Sequence, residues 1–425
     1  MNHKDFLTKV TSFIRANKAK KLVEIEINQH LTHAKNAWMK KGYSEVEAEK
    51  KAVEEMGSAT KLGMSLGKLH KPKIDWFMLS LIGVLLALSF LPLMAMDQTK
   101  GEMILTNALT IIIGLILIVC LMLFDISRVS RFGYIFYIFG LVMLAVLIWI
   151  PNGMMNGEAR FTVGPITLSV WYVLPVFLIA WAALFSKESM RLWKALLLVT
   201  VPIFLLMLVP NLAVLFIFTL MSIVMLYKGT FTRIEKRFFL ILLGIGVVVC
   251  FALIVLAIRN EMIMPYQLAR IYGFLHPHDY AKSEGYLYLL LNTILSEANW
   301  FGSSSSQVIP GAHTDFVLSF LMQRYGIVVT LIVVVLLLLI LARMCWQAIG
   351  KGQSFAKLLV IGASTLFSIQ VLYAFAMTIG IVPLFSIPLP FISYGLMPTI
   401  INSMIVGAVL SVYRRQTYIF VTNRE

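Results

Sequence analysis

The sequence predicts an all-α, polytopic membrane protein of about ten transmembrane helices, preceded by a small soluble helical domain. Three observations carry this. Of the 425 residues, 59% are hydrophobic and only 13% charged, too little polar surface to cover a soluble fold of this length. Apolar runs of about 20 residues recur from residue 74 to residue 413, each long enough to cross roughly 30 Å of hydrocarbon as a helix that satisfies its own backbone. The basic residues between the runs fall mostly on alternate loops. Net charge of +15 would suggest nucleic acid in a soluble chain; here it reads as loops facing anionic lipid, and no nucleic-acid partner is expected.

Residues 1–73 read as a cytoplasmic helical prefix domain. Lys18 to Lys41 carries apolar Leu22, Val23, Ile25, Ile27, Leu31, Ala34 and Trp38 at helical spacing, and Gly42 stops it. Ser44 with Glu47 has capping-box spacing and opens a second helix with Ala48, Ala52, Val53 and Met56 on one face, ended by Gly57. A short helical stretch, Leu62 to Leu69, leads to Pro72. His30 and His33 lack a third ligand, so no metal site is expected there. So small a unit is expected to dock on the membrane face or on a partner. With no cleavable signal ahead of it, the first span would itself direct insertion. The pattern G-x-S-x-x-E-A from Gly42, with Met56-Gly57 after it, resembles the prefix domain found ahead of some bacterial permeases.

From residue 74 to 425 follows the transmembrane domain. The spans fall at 74–96, 103–124, 133–151, 169–186, 193–209, 211–227, 238–258, 316–342, 355–380 and 397–413. Arg128, Arg131, Lys187, Arg191, Lys194, Lys228, Arg233, Lys236, Arg237, Arg343, Lys351, Lys357, Arg414 and Arg415 lie on one side; Lys100, Arg160, Arg259, Arg270 and Lys282 lie on the other. By the positive-inside rule both termini are cytoplasmic and the long loop 259–315 is outside. Cys120, Cys250 and Cys345 have no paired spacing and read as packing residues.

Two stretches stand apart from the spans. Ile309 to Phe316, IPGAHTDF, joins the long outer loop to an apolar helix and places Asp315 at the junction, where free N–H groups favour its charge. Thr314 or Asp315 as a simple helix cap is the plainer alternative. The same loop holds His276, His278, Asp279, Glu284 and Glu297, but His276-Pro-His278 is a loop pair with no evident third ligand, so no metal is assigned. Ser303 to Ser306 reads as a flexible tract. Gly380 to Gly395, GIVPLFSIPLPFISYG, holds three of its prolines and no charge between two spans, so it cannot be a continuous helix. Irregular backbone at membrane depth must pack on protein or line a cavity.

Together, HTDF at the head of a span and G-x-x-P-x-x-x-x-P-L-P-F-I-S-Y-G before the last one resemble the SEDS family of shape, elongation, division and sporulation proteins, which includes FtsW, RodA and SpoVE. The resemblance covers about 74 to 415. It implies a bacterial cytoplasmic-membrane peptidoglycan glycosyltransferase that polymerises lipid II at the outer leaflet in division, elongation or sporulation, with a class B penicillin-binding protein as partner. It implies no resident cofactor and leaves a divalent cation open. Asp315 matches the family's essential acid, with His313 and Thr314 flanking it. Arg270, Gln370, Pro388, Pro390, Ser393 and Tyr394 match further landmarks and are the expected substrate-binding set, with Arg160 a weaker candidate for the lipid pyrophosphate. The family's Q-P-S-E-x-x-K aligns with Ser169 to Pro175, so its glutamate and lysine are missing, and Gly311 replaces a glutamate. Those losses keep a catalytically silent, lipid II-binding member as an alternative. A lipid-linked sugar flippase is the other, weakened by the few ionisable residues within the spans.

Overall fold

The computed structural model describes residues 2–14, 17–69, 71–96, 100–155, 158–164, 166–260, 265–302, 307–349 and 354–415. Ser303 to Ser306 and Lys351 lie outside the described residues. Two compact units are formed: residues 1–75 with 350–353 and 412–425, and residues 76–349 with 354–411.

The first unit holds helices His3–Ser12 (α1), Asn17–Lys40 (α2), Glu45–Glu55 (α3) and Ala59–Leu69 (α4). Its core is Phe6, Val10, Val23, Ile27, Leu31, Ala52 and Val53. Ser44 and Glu47 form both halves of a capping box at the start of α3. The sequence pattern missed α1, whose buried stripe of Phe6 and Val10 is too short to stand out among charged neighbours.

The second unit holds Trp76–Leu88 (α5), Phe90–Met94 (α6), Lys100–Leu123 (α7), Gly133–Trp149 (α8), Val173–Phe185 (α9), Leu192–Leu208 (α10), Leu212–Lys228 (α11), Arg233–Arg259 (α12), Pro265–Leu275 (α13), Tyr286–Ser296 (α14), Val317–Ile349 (α15), Ser354–Thr378 (α16) and Leu396–Arg415 (α17). Every expected span is helical. Seven are long and apolar enough to cross a bilayer by themselves, α5 with α6 counting as one. At 13 residues α9 is among the shorter ones, yet Phe177, Leu178, Trp181, Ala182 and Phe185 are fully buried, so protein surrounds it on every side. Gly140 of α8 makes the approach possible: a Cβ there would lie 2.5 Å from Phe177 Cε2. Phe177, Trp181 and Phe218 then pack tilted or edge-to-face at centroid distances of 4.7 to 5.6 Å. At the other extreme α12 buries only 6% of its apolar window.

Between α8 and α9 lies an element the sequence did not predict: three antiparallel strands, Gly153–Met155 (β1), Glu158–Val163 (β2) and Ile166–Ser169 (β3), in the order β1-β2-β3. Arg160 sits in the middle strand, opposite Gly153 on one side and Ser169 on the other. The fourth span therefore starts later than the expected residue 169, with Ser169 Oγ accepting from Trp171 N–H in a short 3₁₀ turn before α9.

The eighth span is also not one continuous helix. Gly326 breaks α15 at φ 87°, ψ −180°, a conformation open essentially to glycine alone. Past the break, Ile327 and Val328 donate to the carbonyls of Asn299 and Trp300, which satisfies the new helix start. A Cβ on Gly326 would lie 2.3 Å from Gly302 N. Gly326→Ala is expected to destabilise the protein by about 1–3 kcal/mol or more, seen as a lower unfolding midpoint in detergent; an unchanged midpoint would show that the kink is dispensable.

Candidate active site

Ile309 to Phe316 folds as a turn closed on one carbonyl. Gly311, at φ 66°, accepts from the N–H groups of Thr314, Asp315 and Phe316 at 3.0 to 3.2 Å, and from Thr314 Oγ1 at 3.3 Å. That geometry lifts Asp315 out of the helix that begins at Val317, so its carboxylate meets the other unusual loop.

Residues 380–395 approach it from the opposite side. Pro388 and Pro390 fix the local φ, and Phe391, buried, takes φ 62°, a costly angle for a bulky residue. Side chains satisfy the loop's backbone: Tyr373 Oη donates to Pro383 O at 2.8 Å, and Leu384 N–H donates to Tyr288 Oη at 3.0 Å. Three hydrogen bonds then join loop to turn. Ser393 Oγ donates to Thr314 O at 2.5 Å while accepting from Leu389 N–H at 2.8 Å, Tyr394 N–H donates to His313 O at 2.8 Å, and Ser386 Oγ donates to Asp315 Oδ2 at 2.5 Å.

The junction walls a cavity of about 840 Å³, within the range of small-molecule sites. Asp315, His313, Thr314, Ser386, Pro388 and Tyr394 form one side and Arg160, Trp171 and Tyr172 another, while Phe139, Met143, Ile400 and Met404 give it an apolar end between α8 and α17. Of the expected residues, Asp315, His313, Thr314, Pro388, Tyr394 and Arg160 are thus brought together. Arg270 is not: it is exposed on α13 and does not line the cavity, whereas Arg160, the weaker candidate, does. Pro390 and Ser393 are buried behind the wall. Gln370 lies inside the bundle, its Oε1 accepting from Asn402 Nδ2 at 3.2 Å, and bridges α16 to α17. Ser386 was missed, because nothing in an apolar, proline-rich loop marks which residue will face a carboxylate 71 positions away.

Burial raises the Asp315 pKa above the usual carboxylate value; the Ser386 hydrogen bond and the His313 charge oppose it. Burial lowers the His313 pKa below its usual value, and the Asp315 charge opposes that. Among the described lining residues Arg160 is the one lysine or arginine. The site therefore offers one carboxylate as proton acceptor and one guanidinium for an anion, beside an apolar slot.

Fold and site together define a polytopic membrane protein with an acid-bearing cavity at one end of its helical bundle. The chain belongs to the FtsW, RodA and SpoVE family of cell cycle proteins, whose model matches residues 71–418. It is 28% identical over 298 residues to the "Probable peptidoglycan glycosyltransferase FtsW" of Coxiella burnetii, covering 66% of this chain and 77% of that one. With the Pseudomonas fluorescens protein of the same name it shares 26% identity over 335 residues, 73% and 78% of the two chains. Among solved structures, a chain from "Structural coordination of polymerization and crosslinking by a peptidoglycan synthase complex" superposes with TM-score 0.69 at 23% identity, over 81% of this chain and 98% of that one. The Rod shape determining protein RodA of Thermus thermophilus gives TM-score 0.57 at 20% identity, over 80% and 97%.

Removing the Ser386 hydroxyl takes away a hydrogen bond to the charged carboxylate and leaves the burial in place. Ser386→Ala is expected to move the Asp315 titration to higher pH, and Ser386→Thr to restore it. The measurement is carbodiimide labelling of Asp315, which requires the protonated acid, followed by mass spectrometry across pH. A midpoint that stays put in the alanine variant would show that the hydroxyl does not hold the acid.

Proposed function

We propose that the chain is a peptidoglycan glycosyltransferase that polymerises lipid II at the outer face of the cytoplasmic membrane. One observation supports this most directly: an acid and an arginine share a cavity that runs into an apolar slot between α8 and α17. A lipid-linked sugar pyrophosphate has the matching parts, a polar head for the first and a polyprenyl tail for the second.

In this reading Asp315 accepts the proton of the acceptor sugar's 4-hydroxyl as that oxygen attacks the donor's anomeric carbon. The bond from that carbon to the pyrophosphate oxygen breaks, the configuration inverts, and undecaprenyl pyrophosphate leaves with the electron pair. Arg160 balances the charge on the leaving pyrophosphate through charge-assisted hydrogen bonds. Ser386 occupies Oδ2 of Asp315, which leaves Oδ1 for the acceptor. His313 and Thr314 shape the turn, and Ser393 holds it. A class B penicillin-binding protein is the proposed partner, which would crosslink the strands, with both termini of this chain cytoplasmic.

The test is polymerisation of labelled lipid II by the purified full-length chain with its partner, read as glycan strands on a gel. Asp315→Asn should lower the rate by about 10²-fold or more with an unchanged unfolding midpoint. Normal strands from that variant would remove Asp315 from the base role. Arg160→Ala should raise KM for lipid II roughly tenfold, whereas Arg270→Ala should change it far less; the reverse ranking would return the pyrophosphate to Arg270. No strands from the wild type with its partner would leave the silent, lipid II-binding alternative.

A further inference from the structure

The first unit contains a helix with two sharply different faces. On one, Ala59, Gly63 and Gly67 pack against the segment that ends α1: a Cβ on Gly63 would lie 2.6 Å from Phe13 Cδ2, and one on Gly67 2.7 Å from Phe13 O. Contact this close leaves no room for a larger side chain, so the orientation of α4 in the unit is fixed. Lys61, Met64, Ser65, Lys68 and Leu69 make the other face, and all are exposed. At about 100° per residue they fall within an arc of roughly 140°. Met64 is 52% and Leu69 63% exposed, apolar side chains that the unit's own core does not use.

Charge and connectivity say what covers this face. From Met56 through Ile74 the chain carries Lys61, Lys68, Lys71 and Lys73 and no aspartate or glutamate. Acidic protein surfaces and acidic lipid would both suit that charge, but the chain path selects lipid. Trp76 begins the first apolar span, and the intervening residues reach at most about 25 Å even when fully extended. The face is therefore tethered within about 25 Å of the start of the first span, so lipid headgroups are at high local concentration. Apolar side chains flanked by lysines are the composition of a helix that lies in a membrane interface.

We propose that the outer face of α4 docks on anionic phospholipid headgroups of the bilayer that α5 enters. Met64 and Leu69 insert at the headgroup level, and the lysines meet the phosphates. This gives the prefix unit a fixed station on the membrane, and it does not depend on the glycosyltransferase reading. Each lysine near an anionic surface is expected to favour the docked state about fivefold.

The experiment uses the full-length chain in nanodiscs, with Cys120, Cys250 and Cys345 replaced by serine and one spin label at Met64→Cys. Val46→Cys on α3, 80% exposed in the structure, is the comparison site. In phosphatidylglycerol mixed with phosphatidylcholine, the Met64 label should gain oxygen collisions and lose collisions with a water-soluble nickel complex, while the Val46 label stays aqueous. The combined Lys61→Gln, Lys68→Gln and Lys73→Gln variant, altered only at exposed positions, should return the Met64 label to aqueous values, as should phosphatidylcholine alone. A Met64 label that stays aqueous in the anionic nanodisc overturns the docking. One that contacts lipid equally in both compositions, or equally in the glutamine variant, overturns recognition of the anionic headgroup.

Discussion

The site depends on one serine hydroxyl. Ser393 Oγ joins Leu389 N–H to Thr314 O, and in doing so ties the loop before the last span to the turn before the eighth. The loop carries a phenylalanine at positive φ, while the turn is closed mainly on the Gly311 carbonyl, with Ala312 N–H donating to Ile309 O. Joined, each supplies the other's missing partners, and Asp315 is held at the seam. Backbone polar groups near hydrocarbon have no water to fall back on, so such a seam must be complete to persist at all.

The same turn holds a departure from the pattern that the family resemblance led one to expect. Gly311 stands where that pattern has glutamate, and its φ of 66° would strain any L side chain. A Cβ there would lie 3.8 Å from Asp315 Oδ2. Without a second carboxylate at that point, Asp315 faces burial, the Ser386 hydroxyl and His313, and no like charge from the turn itself. The glutamate and lysine that the resemblance led one to expect in the fourth span would fall at Tyr172, in the 3₁₀ turn, and at Pro175 in α9, and Trp171 and Tyr172 line the cavity there. Arg160, in the middle strand of the small sheet, lines the cavity as well.

Packing sets the frame for this. α9 is enclosed by protein while the apolar window of α12 is only 6% buried, although beyond the charged first turns of α12 both are runs of apolar residues. In a bilayer apolar burial does not distinguish core from surface; close approach does. Gly140 against Phe177, and Gly362 against Leu178 and Met225, bring α8, α9, α11 and α16 together. Lacking such contacts, α12 has little to hold it against the bundle.

The sequence by itself determined the spans, because an apolar run of bilayer length has one way to satisfy its backbone, and the resemblance of its two motifs led to Asp315, His313, Thr314, Pro388 and Tyr394. The expected boundary between spans 193–209 and 211–227 falls at the break between α10 and α11, where Asn211 caps the second helix. Tertiary structure alone decided which arginine shares the acid's cavity, that Gln370 joins α16 to α17 while Ser393 is buried against the turn, and that Ser386 touches the carboxylate. The physical reason is range. Helix formation, capping and breaking are settled within a few residues, so they can be read locally. Arg160, Asp315 and Ser386 meet only after α8, α9, α15, α16 and α17 have packed, and no local pattern encodes that meeting.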